Sequence, residues 1–302
     1  MSLRGPSRSV VLAALVVTAT ATVDAQRFTS RAVAVRVDVL VTNGGQLVRG
    51  LSARDFDVRD EGVPQTVSQV ELEQIPLNLI LVFDTSGSVA GDRMRALLEA
   101  GKALLDGLRD QDRVALVSFS TRVRLLTPLT SNPQQIRAAF DTLEAHDATS
   151  LRDAAFAGLA LRESDPGRTL LLIFSDGDDT SSWLTTPKVI ETAKRTDAVV
   201  YAVVVPFQRA FWTPRGGATI DTVKKAGKFL ESLTEETGGR ILFASSNSDL
   251  RATFTKTLAE FHDRYVLSYT PTGVSATGWH RLEVKLKGKS GKVTARRGYS
   301  AE

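Results

Sequence analysis

Residues 77–88 read Leu-Asn-Leu-Ile-Leu-Val-Phe-Asp-Thr-Ser-Gly-Ser. The apolar part, 77–83, is too short for a helix and too apolar for a strand with one wet face. It reads as a strand buried on both sides. Similar runs recur at 113–119, 169–174, 198–205 and 240–243. Between them lie helical patterns at 94–108, 133–143, 151–161, 187–195 and 229–237, the last closed by Gly238-Gly239 as a C-cap. Buried strands alternating with helices predict an α/β fold, a mainly parallel sheet with helices on both faces. Residues 123–130 follow the second strand so closely that an antiparallel edge hairpin is expected.

The sequence on either side has a different texture. Residues 33–43 alternate valine with polar residues up to Gly44-Gly45, and 54–59 and 66–73 alternate in the same way around a turn at 60–62. This is the pattern of half-buried strands and tight hairpins. After a final amphipathic helix marked by Leu250, Phe254, Leu258, Phe261 and Tyr265, alternation returns at 265–269, 280–286 and 293–299. The two ends of such an α/β unit emerge close together, so the flanks are expected to associate as a small β-sandwich-like unit. The expected organisation is 1–25 as an address segment, 26–75 as an N-terminal β segment, 76–263 as the α/β domain and 264–302 as a C-terminal β segment.

Composition narrows the function classes. With 42% hydrophobic and 24% charged residues, the 302-residue chain has ample apolar content for a core, which excludes intrinsic disorder. It contains no cysteine, which removes disulfides, zinc–thiolate sites and thiol nucleophiles. The net charge of +4 is mild, and the basic run Lys285, Lys287, Lys289, Lys292, Arg296, Arg297 alternates like a solvated sheet face. No nucleic acid partner is expected. Residues 1–8 carry Arg4 and Arg8, 10–23 are apolar or small, and Val23-Asp24-Ala25 offers a small-x-small cleavage site. This is the layout of a secretory signal peptide. The apolar stretch is short for a membrane span. The expected product is exported, periplasmic or secreted, with no stable membrane span after cleavage.

The chemistry concentrates at strand ends. Residues 77–83 run into Asp84-Thr85-Ser86-Gly87-Ser88, and 169–174 deliver Ser175-Asp176-Gly177 to the same edge. The segment 147–150 adds Thr149 just before a helix. In open α/β sheets ligands bind beyond the carboxyl ends of the strands. Carboxylates and hydroxyls are hard oxygen donors suited to Mg²⁺ or Ca²⁺ rather than to zinc or copper. Taken singly, Asp84 and Ser86 could serve as helix caps and Asp176-Gly177 as a turn.

Here the sequence resembles the von Willebrand factor type A (VWA) domain, a Rossmann-like fold, and its metal-ion-dependent adhesion site. Asp84, Ser86, Ser88, Thr149 and Asp176 fill the positions of the Asp-x-Ser-x-Ser motif, the loop threonine and the later aspartate, in order. The resemblance implies that these five residues hold one divalent cation, Mg²⁺ first with Mn²⁺ and Ca²⁺ as alternatives. It also implies a partner protein that completes the coordination with an Asp or Glu. The flanks, with LVRGLSARDFDVRDEGVPQTVSQVE before and RYVLSYTP and ARRGYS after, resemble the bacterial secreted VWFA-related family.

Other residues near this edge carry two readings. Trp183, Phe207, Phe211, Trp212 and Arg215 are candidate anchors for a partner protein, or pack onto the domain as a lid. Asp178 and Asp179 read as solvated loop carboxylates or as tuning groups for the metal. Asp153 reads as a supporting or first-turn carboxylate, and His146 as a loop residue. No phosphate-cradling G-x-x-x-x-G-K-[ST] or G-x-G-x-x-G motif occurs. A binding module rather than an enzyme is expected; the alternatives are a structural envelope protein with an idle metal site and, more remotely, a metal-dependent hydrolase.

Overall fold

The computed structural model describes residues 34–72, 75–161, 167–204, 221–244 and 247–301. The expected signal segment lies outside the described residues. The N-terminal flank forms strands β1 (Val35–Asn43), β2 (Gln46–Leu47), β3 (Phe56–Asp60), β4 (Val63–Gln65) and β5 (Val67–Leu72). The α/β region follows as β6 (Leu77–Asp84), α1 (Asp92–Leu105), β7 (Arg113–Phe119), β8 (Val123–Thr130), α2 (Pro133–Phe140), α3 (Leu151–Ala160) and β9 (Arg168–Ser175). It continues through α4 (Thr186–Lys194), β10 (Val199–Val204), α5 (Asp221–Thr237), β11 (Arg240–Phe243) and α6 (Asn247–His262). The chain ends in β12 (Tyr265–Tyr269), β13 (Gly278–Leu286), β14 (Lys292–Ala295) and β15 (Gly298–Ala301).

The central sheet has the order β11-β10-β9-β6-β7-β8 and is parallel except for β8, the antiparallel edge strand expected from its short connection. Every residue of β6 is buried, because alternate side chains feed two separate cores. Leu79, Leu81 and Phe83 pack with Leu97, Leu104, Phe140, Phe254 and Phe261, under α1, α2 and α6. Ile80 and Val82 pack with Leu151, Ala155, Val189, Leu230 and Leu233, under α3, α4 and α5. The fold is a three-layer α/β sandwich of helices, sheet and helices. Helix α1 lies so close to the sheet that a Cβ on Gly101 would stand 2.8 Å from the rings of Phe83 and Phe140.

The two flanks interleave. One sheet runs β14-β1-β12-β5 with β2 on β1, the other β15-β13-β3-β4, so each combines strands from both ends of the chain. Their inner faces share a core of Val37, Val39, Val41, Phe56, Val58, Tyr265, Leu267, Tyr269 and Leu282. The turns are those the sequence indicates: Gly44 and Gly45, and then Glu61 and Gly62, all have positive φ, as tight hairpins of this hand require.

Three boundaries differ from the sequence pattern. The stretch 54–59 does not begin as a strand: Asp55 accepts the Ser52 amide and hydroxyl, both at 2.8 Å, and this turn delays the strand to Phe56. Helix α5 begins at Asp221 rather than Phe229, about two turns before the expected start. The expected single strand 293–299 splits into β14 and β15, which join opposite sheets. The break is pinned to the α/β region. The Arg297 amide donates to the Glu236 carbonyl at 3.3 Å, and the Arg296 guanidinium donates to the carbonyls of Lys194 and Thr196.

The amino ends of the parallel strands are tied to the flanks by buried arginines. Arg168, the first residue of β9, donates from Nε to Asp38 on β1 at 2.8 Å and from an η nitrogen to the Phe261 carbonyl at 2.8 Å. Arg264, fully buried, donates to the carbonyls of Gly238 and Asp38 and to the Tyr201 hydroxyl. Both guanidinium groups stack over the Phe261 ring, at 4.6 and 5.8 Å from its centre. Removing one member of such a pair strands the other charge. Replacing Arg168 with methionine is therefore expected to lower stability by about 3 kcal/mol in urea denaturation. Lysine should recover only part of this, since a single ammonium cannot span both acceptors. A loss below about 1 kcal/mol would show that the pair does not hold the junction.

Candidate metal centre

The parallel pairing of β6 with β9 matches Phe83 with Phe174, so Asp84 and the Ser175-Asp176 turn leave the sheet side by side. Asp84 is completely buried. Its carboxylate accepts the Ser175 hydroxyl at 2.7 Å and the Ser86 amide at 2.9 Å. A short 3-10 turn over Gly87–Val89 then brings the Ser86 and Ser88 hydroxyls to 2.9 Å from each other. Thr85 points elsewhere, giving both its amide and its hydroxyl to the Phe119 carbonyl on β7. Ser86 is buried, while Ser88 and Asp176 are half-buried, so the cluster opens on their side.

Thr149 is buried on a loop held by both of the others. Its predecessors join the first loop, with Gly87 donating to the Asp147 carbonyl at 3.0 Å and His146 to the Thr85 carbonyl at 2.9 Å. Thr149 itself joins the third, donating its amide to the Thr180 hydroxyl and accepting the amides of Thr180 and Ser181. Asp147 makes the corner with a positive φ of 68°, which short polar side chains tolerate. The structure thus joins Asp84, Ser86 and Ser88 directly, sets Asp176 close enough for its charge to act on Asp84, and stitches the Thr149 loop to both.

Supporting residues take more definite roles than the sequence indicated. Ser175 was not singled out, yet it bridges Asp84 and the Gly177 amide; its place immediately before Asp-Gly at a strand end was the available signal. Asp179 is not a solvated carboxylate. It accepts the Arg152 amide at 2.8 Å and the Ser182 hydroxyl at 2.7 Å, and pairs with the Arg152 side chain, bracing the first turn of α3. Asp153 accepts the amides of Trp183 and Leu184, at 3.0 and 2.9 Å. This fixes the backbone beneath Trp183, whose side chain is 93% exposed. His146 is an exposed loop residue whose Nδ1 lies 2.8 Å from Asp147. Phe207, Phe211, Trp212 and Arg215 lie outside the described residues.

Among the described residues no three or more His, Cys, Asp or Glu side chains gather into a group that could hold a metal ion. The donors gathered here are two carboxylates and several hydroxyls, a set that fits a hard cation taking oxygen ligands and retaining waters. Burial pushes the Asp84 carboxyl up from its ordinary 3.8 to about 6, and the Asp176 charge adds to this. Hydrogen bonds from Ser86 and Ser175 pull it the other way.

A parallel sheet between two helix layers, with three converging loops at its carboxyl edge, defines a Rossmann-like α/β protein. The von Willebrand factor type A domain profile matches residues 79–178, from within β6 through the Asp176 turn. The chain carries a VWA domain. Inter-alpha-trypsin inhibitor heavy chain H2 of Sus scrofa is 28% identical over 137 residues, which is 41% of this chain and 15% of that protein. The chain therefore spans only a small part of the length of that relative. A UPF0353 protein of Mycolicibacterium gilvum is 28% identical over 236 residues, 69% of this chain and 67% of that one. Among solved structures, the von Willebrand factor type A protein from Catenulispora acidiphila superposes with a TM-score of 0.51 at 12% identity, covering 86% of this chain and 75% of that one. This likeness is one of fold.

The raised Asp84 carboxyl has a consequence for stability. A folded-state value above the unfolded one means that the folded protein holds the proton more tightly. The stabilisation from this group is full below pH 3.8 and is lost as pH rises to about 6. In chelator, Asp84→Asn is expected to remove this limb, worth on the order of 2–3 kcal/mol. Urea denaturation of wild type and variant at pH 4.5 and pH 7 checks it. Parallel pH dependence of the two would contradict the assignment.

Proposed function

We propose that the protein is an exported, metal-dependent protein-binding module. One divalent cation, Mg²⁺ first, is held by Asp84, Ser86, Ser88, Thr149 and Asp176, and bridges to an Asp or Glu of a partner protein. The observation that carries this is the buried Asp84, hydrogen-bonded into a cluster of hydroxyls that opens to solvent past Ser88 and Asp176. A bare carboxylate in such a place costs stability, and a cation offsets that cost. Three of the five donors are neutral hydroxyls, so the two aspartates at most balance the ion. An anionic oxygen from outside is then a favourable further ligand.

Export is supported by the pattern of residues 1–25. Among the described residues no helix is long and apolar enough to cross a membrane. A role in binding rather than turnover is supported by the donor set, which contains no histidine, and by the one histidine nearby, His146, facing Asp147. Trp183 is proposed as a partner anchor, because its backbone is fixed by Asp153 while its indole stands in solvent.

Calorimetric titration with Mg²⁺, Mn²⁺ and Ca²⁺ tests the metal. One site is expected in the wild type, abolished in Asp84→Ala and weakened at least tenfold in Thr149→Ala, with the fold intact by circular dichroism. Absence of any binding at millimolar metal would defeat the proposal. For a captured partner, Trp183→Ala should lower affinity about tenfold or more while leaving metal affinity unchanged. An unchanged partner affinity would return Trp183 to ordinary surface.

A further inference from the structure

Beside the candidate metal centre the carboxyl edge carries a second charged feature. The tight turn between β7 and β8, closed by the Ser120 amide on the Arg122 carbonyl at 3.1 Å, borders a cleft of about 450 Å³. A further lobe of about 260 Å³ extends to Thr85, the residue between Asp84 and Ser86. Arg122 and Arg124 line both lobes and both are exposed. Among the described residues neither guanidinium has an ion pair or a side-chain hydrogen bond, although most other arginines of this protein are engaged. Two acids share the lining. Asp147 is turned to His146 at 2.8 Å, and Glu144 borders the second lobe; neither lies within ion-pair distance of the arginines.

The sheet sets the spacing. Arg124 pairs with Ser118 on β7, and Asp84 pairs with the next β7 residue, Phe119, from the opposite side. Arg124 thus stands two strand spacings from the metal-bearing strand, roughly 10 Å, with Arg122 in the turn that leads into its strand. An extended chain of the polyproline-II kind rises about 3.1 Å per residue with three residues per turn, so acidic side chains three residues apart lie on one face roughly 9 Å from each other and match this distance. Paired guanidinium groups suit carboxylates, which they can grip in two-point fashion.

We infer that the partner presents an extended acidic segment with two carboxylates about three residues apart. One completes the cation's coordination and the other docks between Arg122 and Arg124. This rests on the proposed metal-bridged contact and adds the chemistry of the bound segment.

The test uses two fluorescent peptides in a Gly/Ser frame, one with two aspartates three residues apart and one with a single aspartate. Each is titrated into wild type and into the Arg122→Ala/Arg124→Ala variant, with Mg²⁺ or with chelator. Wild type in Mg²⁺ should prefer the two-aspartate peptide about fivefold to tenfold. The preference should shrink as salt rises. The variant should bind both peptides as wild type binds the single one. Both residues are exposed, so the variant is expected to fold, and its Mg²⁺ affinity provides the control. A preference that survives in the variant overturns the inference, as does a wild type that shows none or binds neither peptide. If Mg²⁺ changes nothing but the variant still loses two-aspartate binding, the cleft stands as an acid-binding site and the metal bridge falls.

Discussion

The contact of Arg168 with Asp38 is the constraint on which the arrangement of this protein depends. It joins the first residue of a central parallel strand to the first strand of the flanking sandwich, beneath the Phe261 ring. Arg264 extends the same junction to β10 and to the end of α5. Burying two guanidinium groups is expensive unless their donors are used, and here all of the bonds described go to backbone carbonyls, a carboxylate and a phenol, while among the described residues Arg264 Nε alone of the two groups is buried without a partner. The flanks are thereby anchored at the amino ends of the sheet. The carboxyl ends stay free for loops; Ser175, at the far end of β9, stands roughly 23 Å from Arg168.

At that free edge polar groups are buried for a different purpose. Directly beneath it Phe83 and Phe174 lie with ring centres 4.5 Å apart, and Phe174 stacks on Phe254 at 4.1 Å. Asp84, the next residue after Phe83, is fully buried, and its carboxylate accepts Ser175 and Ser86. The loops around it are braced by carboxylates that reach across to neighbouring elements. Asp179 holds the start of α3, and Asp153 holds the amides that follow Ser182. Preorganised loops of this kind hold donors in place before a ligand arrives, which lowers the ordering cost of binding.

Much of this was legible in the order of residues. Asp84, Ser86, Ser88 and Asp176 stood out by their place at strand ends, the candidate set of five with Thr149 came from the resemblance to the VWA family, and the edge hairpin came from a short connection. The split of 293–299 was not legible, because its alternation continues across the break. The reason for the break lies in carbonyls of Lys194, Thr196 and Glu236, distant in sequence. Asp179 was misjudged for the same reason: an acid in a Gly/Ser-rich loop looks solvated until its partner on another element, here Arg152, is placed.

The sequence by itself determined the buried strands, the alternating flanks and the place of the polar cluster, since these follow from local patterning: apolar runs buried on both faces, alternation in the flanks, and polar motifs where a buried strand must end. Only the tertiary structure decided how the flanks interleave strand by strand, that buried arginines close the junction, and that Arg122 and Arg124 stand unpaired beside the candidate metal centre. Those features depend on which distant groups meet. Charged side chains carry no periodic signature of their partners, and burial or exposure of a charge is set by packing rather than by its neighbours along the chain.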